Sequence, residues 1–249
     1  DPGLPGQCLP FARFHEPDGP PREEERSDRL RVEAQWLLHL QSELASRTPQ
    51  FRLDDALVNR LHELAVRLKA YGVEIEVLTA LPNYPKMSIQ EGYQNGKNRE
   101  EVLDGIPVHR AAIYVSTSKS IVSRLLNYFS FVWTSYWRGR KLKNFDFLLV
   151  ESPPLFLGYS AMALSKKLNA KLIFNVSDLW PESAEKLGIV NNTALLKMAY
   201  RLEAKCYKRA ALITGQTQGI VSDIARRFPS KQVYWLPNGV NIDFYKPSA

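Results

Sequence analysis

An open, doubly wound parallel α/β sheet is the fold this sequence predicts, and three observations predict it. From residue 54 onward amphipathic helical stretches alternate with short strands, the order that builds parallel sheets through right-handed crossovers. Phe147-Leu148-Leu149-Val150 and 171–176 are short, strongly apolar runs, as strands covered on both faces must be. The segments that follow several strands are rich in polar residues, and in open α/β sheets ligands bind outside the carboxyl ends of the strands.

Residues 1–30 are rich in Pro, Gly and charge, as in Pro17-Asp18-Gly19-Pro20-Pro21 and Glu23-Glu24-Glu25, and read as a disordered or loosely held tail. Val32, Trp36, Leu37, Leu40 and Leu44 recur at helical spacing, so 30–46 reads as an amphipathic helix that Pro49 ends. A helix over 54–71 follows, with Leu57, Leu61, Leu64, Ala65 and Leu68 on one face and Gly72 closing it. Residues 73–79 alternate as a strand, and 101–114 read as a hairpin around Asp104-Gly105 or as a strand with a tight entry. Next come a helix over 118–143, the strand at 147–150, a helix over 155–168 and the strand at 171–176. A helix over 193–209, a strand at 211–214, a helix over 218–228 and a strand at 232–236 complete the order. The implied domains are an atypical extension, 1–53, the α/β body, 54–236, and the start of a linker, 237–249.

Composition narrows the function classes. The formal charge is +7, but residues 1–53 carry seven Arg against nine Asp and Glu, so the body holds +9. That surplus suits nucleic acid, anionic lipid or phosphorylated substrates without choosing between them. Cys8 and Cys206 match no metal-ligand or disulfide spacing, and His62 and His109 show no partner spacing, so a packed or solvated histidine is expected at each. No apolar run approaches the ~20 residues that span a bilayer, and a cytoplasmic location, with peripheral contact on the inner membrane's cytoplasmic face, is expected. The sequons at Asn175 and Asn191 are then chance matches.

Several motifs stand in a telling order. Residues 56–65 form the first helix of the body, followed by Val77-Leu78-Thr79-Ala80-Leu81-Pro82-Asn83-Tyr84-Pro85, Glu91-Gly92-Tyr93, Asp104-Gly105-Ile106-Pro107-Val108 and Leu125-Leu126-Asn127-Tyr128. Glu151-Ser152-Pro153-Pro154, Ser177-Asp178-Leu179-Trp180-Pro181-Glu182-Ser183 and Leu236-Pro237-Asn238-Gly239-Val240-Asn241 follow. In that order they resemble the glycosyltransferases of family 4, in particular bacterial members that build cell-surface polysaccharides. The resemblance covers roughly residues 55–247. It implies the N-terminal, acceptor-binding half of a retaining, metal-independent GT-B enzyme that needs no cofactor and takes a nucleotide sugar as donor. A polyprenyl-linked glycan is the implied acceptor, and the chain alone is expected to be inactive.

One departure from the family is conspicuous. The family opens on a buried strand and a Gly-rich loop that approaches the donor phosphates, whereas Arg47-Thr48-Pro49-Gln50-Phe51-Arg52-Leu53 stands in that place without glycine or a strong apolar run. Loss of a central strand leaves two neighbours with unpaired backbone groups. The sheet is therefore expected either to gap or to recruit 47–53.

Asp178 and Glu182 are the candidate catalytic carboxylates, because they follow a buried strand where a reacting sugar would lie. Asp178 has a second reading as the N-cap of a helix starting at Leu179. Ser177, Asn83, Tyr84, Glu151 and Ser152 are the candidate acceptor contacts, Glu151-Ser152-Pro153-Pro154 being also readable as a rigid turn. Asn238 and Gly239 are the hinge candidates. Basic residues interleave with aromatics and no carboxylate over 118–144, which suits an anionic membrane surface. Arg124, Trp137, Arg138, Arg140 and Lys141 are the expected contacts there, while Leu125, Phe129, Val132 and Trp133 form a stripe expected to be core. A non-catalytic remnant or binding module is the alternative function, and nucleic-acid binding rests on charge alone.

Overall fold

The structure is a computed structural model that describes residues 8–13, 56–83, 88–118, 121–188, 190 and 192–237; at 8–13, 56–60, 121 and 124 the description is of the backbone. The expected helix at 30–46, residues 47–53, Tyr84, Asn238 and Gly239 lie outside the described residues.

Helix α1, Ala56–Ala70, ends at Gly72, whose φ of 86° is open to a residue without Cβ. It feeds strand β2, Glu74–Ala80. Strands β3, Glu100–Leu103, and β4, Ile106–Ala111, form the expected hairpin. Its two turn residues, Asp104 and Gly105, both have positive φ, 50° and 72°, as a two-residue hairpin loop requires. Lys69 Nζ donates to the Gly105 carbonyl at 2.7 Å, and His62 Nε2 lies 2.8 Å from Asp104 Oδ2, so α1 holds the turn.

The remaining elements follow the predicted order: α2, Ile121–Gly139; β5, Phe147–Ser152; α3, Leu157–Lys167; β6, Lys171–Val176; and a short α4, Glu182–Lys186. Helix α5, Thr193–Arg209, strand β7, Leu212–Gly215, helix α6, Gln218–Arg227, and strand β8, Val233–Trp235, complete the body. The side chain of Asn192 accepts from the amides of Ala194 and Leu195, and that of Thr217 from Ile220, so both long C-terminal helices start on capping residues.

With strand β1, Cys8–Arg13, the sheet has the order β3-β4-β2-β1-β5-β6-β7-β8. The pairs β2–β4, β5–β6, β6–β7 and β7–β8 are parallel, as the crossover pattern requires. The centre differs from expectation. β1 pairs antiparallel with β2 from Cys8 opposite Thr79 to Arg13 opposite Glu74, and with β5 at Phe11–Leu148 and Ala12–Phe147. The gap is thus filled by six residues of the stretch read as a loose tail. The reason is hydrogen bonding: the facing edges of β2 and β5 would otherwise present buried, unpaired backbone groups. Pro10, opposite Val77, has no N–H to give, which makes the substitute a weaker ladder than a regular strand.

The main core crosses the sheet: Leu78 and Ala80 of β2 and Ala111 of β4 join Leu148, Val150, Leu164, Leu172, Phe174, Tyr207 and Ile213, buried with α2, α3, α5 and α6. A second, small cluster of Ala65, Val73, Ile75 and Ile106 lies under α1. On α2 the expected core stripe is not the buried one: Phe129 is 42% exposed and Trp133 66% exposed, while Ser123, Phe131, Ser135 and Gly139 are buried. Close helix packing selects the small residues. Ser135 Oγ donates to Ser160 Oγ of α3 at 3.1 Å, and a Cβ on Gly139 would stand 2.9 Å from methyls of Leu164 and Leu78.

Candidate functional site

Three parallel strands end together and bring polar side chains to one edge. Register pairs Glu151 with Asn175 and Asn175 with Thr214, so the three stand side by side across β5, β6 and β7. Strand alternation places them on the face opposite Val150, Phe174 and Ile213, which belong to the main core. Thr214 Oγ1 donates to Asn175 Oδ1 at 2.7 Å; both side chains are buried and satisfy each other. Asn175 is therefore interior, consistent with its sequon being a chance match.

One step further along the strands a second polar row forms. Ser177 Oγ donates to Glu151 Oε1 at 2.5 Å and accepts from Gln216 Nε2 at 2.8 Å. The row is held from the backbone as well: the Ser177 amide donates to the Ser152 carbonyl at 2.8 Å and the Gln216 amide to the Val176 carbonyl at 3.1 Å. Trp235 Nε1 of β8 donates to the Gln216 carbonyl at 3.1 Å, extending the arrangement to the next strand.

The loop after β6 carries the carboxylates. The Trp180 amide donates to the Asp178 carbonyl at 2.8 Å, turning the chain, and the Trp180–Pro181 bond is cis. Ser183 Oγ donates to Asp178 Oδ1 at 2.5 Å, so the Asp178 side chain is oriented by the residue five positions on. It does not cap a helix starting at Leu179: α4 begins at Glu182 with Pro181 before it and no side-chain cap. Glu182 stands in the first turn of α4, where a carboxylate complements the helix dipole, and pairs with Lys186 at 2.5 Å. That hydrogen bond raises the Lys186 ammonium above its ordinary range. Helix α4 is anchored in turn, because Tyr200 Oη of α5 donates to Glu185 Oε2 at 2.6 Å. Burial and this bond push Tyr200 up to about 12.

The sequence candidates thus separate. Ser177 and Glu151 meet directly, and Asp178 and Glu182 follow on the same loop. Ser152 is buried beside them, its side chain on the core side of β5. Asn83 follows β2, on the far side of β1, and its side-chain amide donates to the Leu81 carbonyl at 2.9 Å, folding back on its own loop. Gln216, Thr214 and Ser183 were not singled out from the sequence. Gln216 had a readable signal: it is the first residue past β7, as Ser177 is past β6. His62 and His109 each lie within hydrogen-bond reach of carboxylates: His62 Nε2 2.8 Å from Asp104 Oδ2, His109 Nε2 2.9 Å from Glu76 Oε2 and its Nδ1 2.5 Å from Glu100 Oε2. Among the described residues no three His, Cys, Asp or Glu side chains are grouped to hold a metal ion.

As chemistry, this edge offers an oriented carboxylate and a hydroxyl bridged between a carboxylate and an amide. Such a set can accept and donate hydrogen bonds to the hydroxyls of a polyol.

The chain is 26% identical over 186 residues to the putative colanic acid biosynthesis glycosyl transferase WcaI of Escherichia coli (strain K12). The match takes in 74% of this chain and 44% of that relative, so the chain spans less than half of the relative's length. The family described as Glycosyl transferase 4-like domain matches residues 55–239, a stretch that contains every element from α1 to β8 together with the polar edge. On that match the chain belongs to the glycosyl transferase 4-like domain family.

Proposed function

We propose that residues 55–237 bind the acceptor in a retaining, metal-independent transfer of sugar from a nucleotide donor, in the synthesis of a cell-surface polysaccharide or lipid-linked glycan. The observation that carries this reading is the row Glu151–Ser177–Gln216 beside Asp178, at the carboxyl edge of parallel strands. Support for the pathway comes from the name of the relative, which is assigned to colanic acid biosynthesis. The acceptor is a polyprenyl-linked glycan presented at an anionic membrane surface.

In this reading the Asp178 carboxylate, oriented by Ser183, accepts a hydrogen bond from the attacking acceptor hydroxyl. Ser177 and Glu151 bind neighbouring hydroxyls and fix the sugar ring, and Glu182 supports the loop. A hinge at Asn238 and Gly239 leads toward a donor-binding domain, and transfer requires that second domain. A non-catalytic binding module is the second reading. It is favoured by the antiparallel β1, whose carboxyl end lies at the opposite edge of the sheet from those of β2 and β5.

Titration with a water-soluble, short-chain lipid-linked sugar, followed by calorimetry, tests the acceptor assignment. Asp178→Ala and Ser177→Ala are each expected to weaken binding about tenfold, or ~1.4 kcal/mol. Tight binding of the nucleotide sugar with no acceptor binding overturns it. Incubation of the chain with labelled nucleotide sugar and acceptor is expected to give no product, and turnover abolished by Asp178→Ala would show that no second domain is needed.

A further inference from the structure

Helix α2 presents an apolar face to solvent. Val122 (66% exposed), Leu126 (51%), Phe129 (42%), Trp133 (66%) and Trp137 (42%) succeed one another at steps of four, three, four and four, a single stripe along the helix. Over those 15 steps it runs roughly 22 Å at the helical rise of 1.5 Å per residue. Scattered exposed apolar residues need no explanation, but a contiguous stripe ending in two tryptophans marks a contact surface.

Charge says what it contacts. At the carboxyl end of the stripe Arg140, Lys141 and Lys143 follow within one turn, all exposed, and the last turn of the adjacent α3 adds Lys166 and Lys167, also exposed. The Arg140 guanidinium lies 4.0 Å from the ring centroid of Trp137, and the Trp133 and Trp137 rings are 5.9 Å apart. This is a cationic group held over an amphipathic aromatic, the arrangement that rests at the headgroup level of a bilayer. Arg138, expected from the sequence to take part, instead pairs with Glu100 of β3 and donates to the Arg99 carbonyl at 3.2 Å, so it serves the hairpin. Among the described residues no helix is long and apolar enough to cross a membrane, so the stripe suits lying on the surface.

The stripe also connects to the functional edge. The Phe129 ring lies 5.0 Å from that of Phe156, which lies 5.6 Å from that of Trp180. An unbroken run of aromatic rings therefore leads from the exposed face to the loop that holds Asp178.

We infer that α2 lies flat in the interface of an anionic lipid bilayer, with Val122, Leu126, Phe129, Trp133 and Trp137 in the headgroup–acyl boundary. Arg140, Lys141 and Lys143 rest on the anionic headgroups, and the ring run Phe129–Phe156–Trp180 sets the sugar-binding edge beside the membrane. The inference deepens the membrane-presented acceptor of the proposed function and names the surface that meets the lipid.

Flotation of the full chain with vesicles of phosphatidylglycerol and phosphatidylethanolamine, against vesicles of phosphatidylcholine alone, tests it. Recovery with the anionic vesicles at low salt is expected, falling at least tenfold at high salt. Trp133→Ser with Trp137→Ser is expected to lower partitioning about tenfold or more. Arg140→Glu, Lys141→Glu and Lys143→Glu together are expected to abolish it, while Arg138→Gln leaves it unchanged. Unaltered circular dichroism and melting show that these exposed changes spare the fold. Absence of anionic-vesicle binding at low salt overturns the inference, as does binding indifferent to the two tryptophans. So does a dimer in sedimentation that the tryptophan changes dissolve, or tighter binding to a random oligonucleotide than to vesicles. A chain that floats with vesicles yet ignores the soluble acceptor sinks the acceptor assignment alone, and the converse result sinks this one alone.

Discussion

The two halves of the sheet are built to different standards. From β5 to β8 four consecutive strands run parallel, packed against α2, α3, α5 and α6, and one large cluster fills the space between. From β3 to β2 the sheet is a hairpin plus one strand, with a small cluster of Ala65, Val73, Ile75 and Ile106 beneath α1, while Leu78, Ala80 and Ala111 on these strands join the large cluster. Much of what fixes that half is polar and near the surface: His109 between Glu76 and Glu100, Arg110 against Glu101 with its guanidinium 4.9 Å from the Tyr93 centroid. On the other side the corresponding charge pair, Glu203 with Arg227, is buried at the glutamate and ties α5 to α6. The halves meet through β1, which has six partners on β2 and two on β5, and through α2, whose Gly139 packs against Leu78 of β2 and Leu164 of α3. The difference teaches where function can reside: the polar edge belongs wholly to the half of four parallel strands.

The largest effect therefore belongs to the seam. Ala12 faces Ile75 on one side and Phe147 on the other, and proline there removes its N–H from the sheet. Ala12→Pro is expected to cost about 3 kcal/mol locally, read as roughly hundredfold faster amide exchange at 74–80, with 172–176 unchanged. Unaltered protection at 74–80 would mean that β1 does not join the halves.

What the sequence made legible follows the same division. Every strand and long helix of the β5–β8 half could be read, since 171–176 alternates with helices whose apolar faces repeat cleanly and whose caps, Asn192 and Thr217, are ordinary ones, but the short α4 was not read. Asp178, Ser177 and Glu151 were readable because they follow strands. β1 was not: Cys8-Leu9-Pro10-Phe11-Ala12-Arg13 carries a proline, does not alternate, and lies among turn formers, so only the unmet backbone groups of β2 and β5 explain its place. Periodicity also misjudged α2, because it ranks residues by apolarity, whereas the close approach to α3 is decided by the size of Ser123, Ser135 and Gly139. Gln216 escaped because its role exists only once β6 and β7 are in register.

A smaller effect separates the two cores. Leu172, fully buried in the large cluster, is expected to lose about 4–5 kcal/mol on Leu172→Ala, where surrounding side chains cannot collapse into the cavity. Ile75, 6% exposed in the four-residue cluster, is expected to lose about 2 kcal/mol on Ile75→Ala. Denaturant unfolding of both variants measures the difference. Equal losses would remove the energetic distinction between the halves, and the reverse order would invert it.

The finest test reads the opening of one half alone. Cys206 is fully buried in the large cluster, its sulfur so close to Gly158 that a Cβ there would lie 2.3 Å away. Burial, and secondarily the Glu203 charge, pushes its thiol up to about 12. The folded thiol titrates above the unfolded one, at about 8.5, so this group's contribution is complete below that pH and is lost as pH rises toward 12. In a Cys8→Ser background, alkylation near pH 8 is thus expected to be about a thousandfold slower than for a free thiol, since only the thiolate reacts. Adding Ala12→Pro makes the measurement decisive. If the β5–β8 half stands by itself, Cys206 stays protected while amides 74–80 exchange quickly; if labelling accelerates in step with that exchange, the two halves unfold as one cooperative unit and β1 is part of the core.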